Sequence, residues 1–220
     1  MLTVCFTAKG GQGCSTVAAM LAVLNGAVIV DTAGDMPAVL GLPDPDGPGL
    51  TDALISGSPL HDIAPHVQDN GGIALLPRGS HGADDVPGHR WSELAEVLAS
   101  DARGWVLDAG TGPARTAAAS ADRALLVSRY CYLALRRAVH LTPRSTGLVT
   151  IREHGRSLDR HDLERLLGVP VVADLPWAPE IARAVDAGLL TDRLPRVARQ
   201  ALEGLADTDG RGAQDEADDQ

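Results

Sequence analysis

Lys9-Gly10-Gly11-Gln12-Gly13-Cys14-Ser15-Thr16 is the stretch whose reading decides this chain. It follows a β-branched and apolar run at 2–7 (LTVCFT) and leads into an Ala-, Met- and Leu-rich stretch at 15–25 that reads as helix. Strand, glycine loop and helix start together make an anion site on physical grounds. Gly10, Gly11 and Gly13 let the backbone curl so that successive N–H groups converge on one oxygen-rich ligand. The helix that follows adds the positive end of its dipole. Ser15 stands where a hydroxyl reaches a magnesium ion held by phosphates. The plain alternative is a tight strand-to-helix turn that binds nothing.

Lys9 is the only lysine of the chain; the other 18 of the 19 basic residues are arginines. Lysine is kept where a compact charge stands beside closely approaching backbone, which supports the anion reading. The loop also carries a defect, because Cys14 occupies the place where a phosphate loop normally has its main lysine. An isolated cysteine with no neighbouring His or second Cys reads as a small apolar filler, not as a catalytic thiol.

Outward from the loop, short β-branched runs alternate with helical patterns, the signature of repeated βα units around a mostly parallel sheet. Seven strands are predicted, at 2–7, 27–31, 72–76, 105–108, 124–128, 148–151 and 169–173. Helices are predicted at 15–25, 36–40, 50–56, 91–99, 159–167, 180–187 and 196–205, with a polar loop at 77–88. Asp31 and Asp108 each end a strand. An acid there often only caps the next loop, but ligands of open α/β sheets bind at this same edge.

Bulk properties exclude several classes. At 220 residues and 45% hydrophobic, the chain can bury a full core as one domain, expected over 1–206. Half of the net charge of −10 lies in 207–220, where six acids face one arginine; this reads as a disordered acidic tail. The remainder is only mildly acidic, so no broad DNA-binding surface is indicated. Eight arginines against four acids over 129–165 make one locally basic face, which solvated helices usually explain. Six aromatics leave few platforms for stacking single-stranded nucleic acid. Three scattered cysteines make neither a disulfide framework nor a zinc site. No basic leader and no apolar run of about 18 residues is present, so a cytoplasmic protein without signal peptide or membrane span is expected. The helix expected at 196–205 is short and precedes the acidic tail, which speaks against a membrane anchor.

The loop resembles the deviant Walker-A motif of the MinD/ParA family of P-loop ATPases, Lys-Gly-Gly-x-Gly-Lys-[Ser/Thr]-Thr. Lys9 falls on the family's signature lysine, Ser15 on its magnesium-binding hydroxyl, and Cys14 on its second lysine, so the loop is degenerate. Val28-Ile29-Val30-Asp31 resembles the second strand and its acid, Val106-Leu107-Asp108 the Walker-B strand, and Ala109-Gly110-Thr111-Gly112-Pro113 the switch loop. Ala121-Asp122-Arg123-Ala124-Leu125-Leu126-Val127 and Val169–Trp177 (VPVVADLPW) are similar to late strands of the family. Gly34-Asp35, Leu40-Gly41-Leu42 and Gly49-Leu50-Thr51-Asp52-Ala53-Leu54 resemble the pilus-associated CpaE/TadZ branch. Two further departures are Ala33, where the family has a second acid, and Thr150-Ile151-Arg152, where it has an adenine-reading asparagine.

The resemblance covers about residues 1–205 and implies a three-layer, Rossmann-like P-loop NTPase. It implies ATP or ADP held by Lys9, Gly10, Gly11, Gln12, Gly13, Cys14, Ser15 and Thr16 with Gly110 and Gly112. Magnesium would sit on Ser15 and Asp108, and Lys9, Asp31 and Asp108 would form the catalytic set. The expected function is nucleotide binding with weak or absent hydrolysis, in a homodimeric positioning or assembly factor. Its partner would be a pilus or secretion motor ATPase. Two alternatives stay open: a nucleotide-free scaffold, and an active ATPase in which Lys9 replaces the missing charge.

Overall fold

The computed structural model describes residues 1–59, 67–69, 72–142 and 144–207. The sheet has eight strands: β1 (Leu2–Phe6), β2 (Val28–Asp31), β3 (Gln68–Asp69), β4 (Ala74–Leu76), β5 (Trp105–Gly110), β6 (Arg123–Arg129), β7 (Gly147–Arg152) and β8 (Val171–Pro176). Their spatial order is β3-β4-β2-β5-β1-β6-β7-β8. Every pairing is parallel except β3 with β4. The seven predicted strands are all present. The eighth, β3, has only two residues, too short to leave a periodic signal.

Strand side chains alternate between two cores, as the pleat requires. From β1, Leu2, Val4 and Phe6 enter one core while Cys5 enters the other. The first core is covered by α3 (Leu50–Ile55), α4 (Gly88–Ser100), the 3-10 helix Pro113–Ser120, α5 (Tyr132–Ala138) and α6 (Arg160–Leu167). The second is covered by α1 (Cys14–Asn25), α2 (Met36–Leu40) and α8 (Arg196–Leu202), with α7 (Pro179–Asp186) packed at its edge. Three layers result, an α/β architecture with β1 and β5 at its centre.

Two helical elements of seven residues or more escaped the sequence reading. The 3-10 helix at Pro113–Ser120 and the seven-residue α5 each bury only three small or aliphatic side chains, so neither carries a long apolar stripe. At the other end, α8 stops at Leu202 and a 3-10 turn completes the expected segment. Asp207, assigned from sequence to the acidic tail, donates its N–H to Asn25 Oδ1 at 2.9 Å and pairs with Arg123 at 3.1 Å. The rest of that tail, 208–220, lies outside the described residues.

Because the sheet is parallel, the C-terminal ends of β1, β2, β5, β6, β7 and β8 share one edge, where ligands of such folds bind. A backbone crossing joins the helices that follow β2 and β8. Gly41, at φ 70°, passes Gly188 so closely that a Cβ on it would fall 2.4 Å from the Gly188 Cα. This contact sets α2 against α7. Gly26, the left-handed cap of α1, has open space at the same position. Gly26→Ala is therefore expected to cost only the left-handed backbone term of about 1–2 kcal/mol. Gly41→Ala should add about 1–3 kcal/mol of overpacking to it. Urea unfolding of the two variants measures the difference; equal costs would mean that the crossing is not tight.

Candidate functional site

The glycine loop is pinned at both shoulders before it curls. Thr7 N–H donates to the Gly110 carbonyl at 2.9 Å, and the Thr7 hydroxyl donates to the Val127 carbonyl at 2.8 Å. The loop is thus hung between β5 and β6. Gln12, placed in the nucleotide-binding loop from sequence, buries its side chain and accepts the Arg129 N–H on Oε1 at 2.9 Å. Its role is to clamp the loop. Gly13 starts α1 at φ 88°, a left-handed conformation that favours glycine, and a Cβ there would also displace the Ile151 Cδ1 tip, 2.6 Å away. A Cβ built on Gly10 or Gly11 would meet nothing within 4 Å, so both glycines border open space. The first helical bond is Val17 N–H to the Gly13 carbonyl, so the N–H groups just before it have no partner within the helix. Lys9 is half-buried and folds back, its Nζ donating to the Gly10 carbonyl at 3.2 Å.

Asp31 and Asp108 lie opposite each other in the β2–β5 register, both buried, and they are satisfied differently. Asp31 Oδ1 accepts from Ala33 N–H (3.0 Å) and Gly34 N–H (2.7 Å), and Oδ2 from Met36 N–H (3.3 Å). It holds the turn into α2. Burial pushes its carboxyl from 3.8 up to about 6, against the pull of the Gly34 N–H and with a further push from Asp108. Asp108 Oδ1 accepts the Gly110 N–H at 3.2 Å, but Oδ2 is buried without a well-formed hydrogen bond. Burial raises this carboxyl too; the Ser15 hydroxyl and the Cys14 thiol beside it offset part of the rise, and Asp35 adds to it. The Cys14 thiol is itself pushed well up, by burial and then by Asp108, so it is a neutral thiol at ordinary pH and no nucleophile.

The orphaned oxygen is where a cation fits. Among the described residues no cluster of three or more His, Cys, Asp or Glu could hold a metal unaided. A magnesium ion here would therefore need phosphate or water ligands beside Ser15 and Asp108, as hard cations in phosphate sites do.

The switch loop is less ready than its sequence suggests. The Gly110 N–H is spent on Asp108, and the Gly112 N–H donates to the Ala109 carbonyl at 3.2 Å. Arg115 Nη1 braces the same loop through the carbonyls of Thr111 and Gly112. For these two amides to meet a phosphate, the loop must first let them go.

Sequence reading did not find the cleft of about 250 Å³ that opens beside the loop. Gly13, Thr16, Val17 and Met20 line it from the loop and α1, Ile151 and Trp177 from the ends of β7 and β8, and Ile181 and Val185 from α7. Arg129 stacks its guanidinium on the Trp177 ring, 4.5 Å from the centroid. Trp177 in its proline turn was the available signal. The basic segment offers less than its composition promised. Arg129, Arg152, Arg156, Arg160 and Arg165 are paired with Glu153, Asp174, Glu153, Glu164 and Asp162, and the short α5 presents Arg136 and Arg137.

The sequence matches no protein-family model and no curated protein. Solved structures do match over nearly the whole chain. The septum site-determining protein MinD complexed with Mg-ADP from Pyrococcus horikoshii superposes with a TM-score of 0.75 at 21% identity, covering 99% of this chain and 100% of that one. The fold is that of the MinD and ParA ATPases. MinD in a MinC:MinD cell division complex from Aquifex aeolicus matches at 0.71 and 19%, covering 92% and 93%. A ParA family ATPase from Chlorobium tepidum matches at 0.71 and 17%, covering 93% and 98%. No helix among the described residues is long and apolar enough to cross a membrane.

The unequal carboxylates give a pH signature. An acid whose folded pKa lies above its unfolded value stabilises the fold at low pH and loses that contribution as pH rises through the folded value. For Asp31 the window runs from about pH 4 to about pH 6. In Asp31→Asn an oxygen acceptor is kept and the charge removed. The wild-type stability minus that of the variant should therefore fall by up to about 3 kcal/mol across this window. Urea titrations at several pH values check it; a difference that stays flat or rises would contradict the burial argument.

Proposed function

We propose that this chain is a MinD/ParA-type nucleotide-binding protein that holds ATP or ADP with magnesium and hydrolyses it weakly or not at all. Asp108 carries the reading: a buried carboxylate with one oxygen left over, beside the Ser15 hydroxyl at the start of α1, where the glycine loop ends. Main-chain amides of the loop and the start of α1 bind the phosphates, and Ser15 with Asp108 holds the cation. Magnesium held there would supply positive charge to offset that of the phosphates.

The losses fall on catalysis more than on binding. A hydrogen bond to a charged group contributes roughly 1.5–3 kcal/mol, so a neutral Cys14 weakens binding about 10- to 150-fold, which cellular nucleotide concentrations can still overcome. Ala33 stands where the resemblance places an acid for hydrolysis, and the nearby Asp31 is committed to three backbone amides. Lys9, folded over Gly10, supplies its charge across a nucleotide-dependent homodimer. By analogy with the MinC:MinD complex, the dimer works as a positioning or assembly factor for a protein partner. The CpaE/TadZ resemblance points to a pilus or secretion motor ATPase. The paired arginines of 129–165 make DNA a poor partner. One observation favours a nucleotide-free scaffold instead: the switch-loop amides are already satisfied internally.

Calorimetry and thermal shift with Mg·ATP and Mg·ADP test the reading. Wild type should bind both and lose affinity at least tenfold with EDTA. Asp108→Asn should abolish the magnesium dependence. Cys14→Lys should tighten binding about tenfold or more. Turnover of wild type should not exceed that of Asp108→Asn. Absence of binding in both wild type and Cys14→Lys would leave the scaffold. In light scattering, Lys9→Ala should bind nucleotide yet fail to form the nucleotide-dependent dimer; dimers of undiminished stability would remove Lys9 from the interface.

A further inference from the structure

We infer that Arg115 is a positioning residue that latches the loop after β5 in a self-bonded form, so that this chain holds a nucleoside triphosphate no more tightly than a diphosphate. The inference rests on the nucleotide reading above and adds to it the contact that limits the site.

Arg115 Nη1 donates to two successive carbonyls, those of Thr111 at 3.0 Å and Gly112 at 2.9 Å. The backbone bonds of the same turn are longer: Gly112 N–H to the Ala109 carbonyl spans 3.2 Å, and Arg115 N–H to the Gly112 carbonyl 3.4 Å. The guanidinium is thus the tightest tie of the turn, and its charge strengthens it further. Peptide geometry carries that tie to the amide side. The Thr111 carbonyl and the Gly112 N–H belong to one planar trans unit and point opposite ways. While Arg115 holds the carbonyl, the N–H stays on Ala109. Turning the N–H toward a ligand swings the carbonyl off the guanidinium.

The latch stands on a fixed base. Ala114, Ala117 and Ala118 bury the 3-10 helix that carries Arg115 against the first core. On the other side Thr7 N–H holds the Gly110 carbonyl, and Gly110 N–H is bound to Asp108. Between these anchors the peptide joining Thr111 to Gly112 is the unit that turns. Arg115 Nε is buried without a partner, a cost that opening would relieve, so the latch is poised and not locked. The loop leaves β5 just past Asp108, whose spare oxygen marks the cation position. A diphosphate on the glycine loop leaves the turn as it stands. In nucleotide switches the terminal phosphate and its magnesium order such a loop. Here a third phosphate must first break the Arg115 bonds, which offsets what it gains.

Two measurements read the latch. Arg115→Met keeps the apolar stem but loses both bonds, so amide exchange at Gly112 without ligand should be at least about fivefold faster, with β6 unchanged. Arg115→Lys, which still donates, should stay within about twofold of wild type. A smaller acceleration in Arg115→Met overturns the inference. Calorimetry of wild type with Mg·ATP and Mg·ADP needs no variant. Affinity for ATP should not exceed that for ADP by more than about threefold, and a larger preference overturns the inference. Arg115→Met should bind Mg·ATP at least about fivefold tighter than wild type does, with Mg·ADP within about twofold. Equal tightening of both, or weaker ATP binding that would make Arg115 a phosphate ligand, overturns the latch and leaves the nucleotide reading standing. If neither nucleotide binds to either protein, the nucleotide reading falls and the inference with it.

Discussion

Two carboxylates buried side by side at the ends of adjacent strands are costly, and the site is organised around how that cost is met. Asp31 and Asp108 share one register position across β2 and β5. Three backbone amides cover Asp31 and turn it into a structural knot that shapes the entry to α2. Asp108 receives one amide, a nearby hydroxyl and a thiol, and keeps an oxygen without a proper partner. A cation beside that oxygen would relieve the desolvation and the mutual repulsion together. The same asymmetry separates the acid that builds the edge from the acid that a ligand can use.

Cys14 has to be understood against this background. A lysine there would place a positive charge beside the buried acid; the cysteine places a small neutral group instead. Packing is preserved and the local charge balance is not. What remains for a polyanion is main-chain dipole, helix start and any cation recruited by Ser15 and Asp108. Binding built this way would respond strongly to magnesium and would lack the charge that stabilises a developing transition state.

Much of the fold was legible because its signals are local. The apolar runs at β1, β2, β4, β5, β6, β7 and β8 were found as strands, and the glycine spacing at 10, 11 and 13 announced the curl that Gly13 makes at φ 88°. Two-residue β3 and the weakly apolar α5 and 3-10 helix gave no periodic pattern to read. At the site, residue type was a better guide than orientation. Gln12 sits in the right motif, yet its side chain is turned inward by the Arg129 amide, a contact between residues 117 positions apart. The cleft was invisible for the same reason: Arg129, Ile151 and Trp177 come from three strand ends that only the parallel sheet brings together.

A ring of main-chain amides, with Ser15 and Asp108 beside it, should still hold a polyphosphate after its principal ammonium group has gone. Crystals grown with excess Mg·ATP test it most directly. Triphosphate density is expected within the curl of residues 9–16, with a magnesium peak between the Ser15 hydroxyl and the Asp108 carboxylate. Clear density for an unliganded loop, with Asp108 still facing only its own chain, would contradict it.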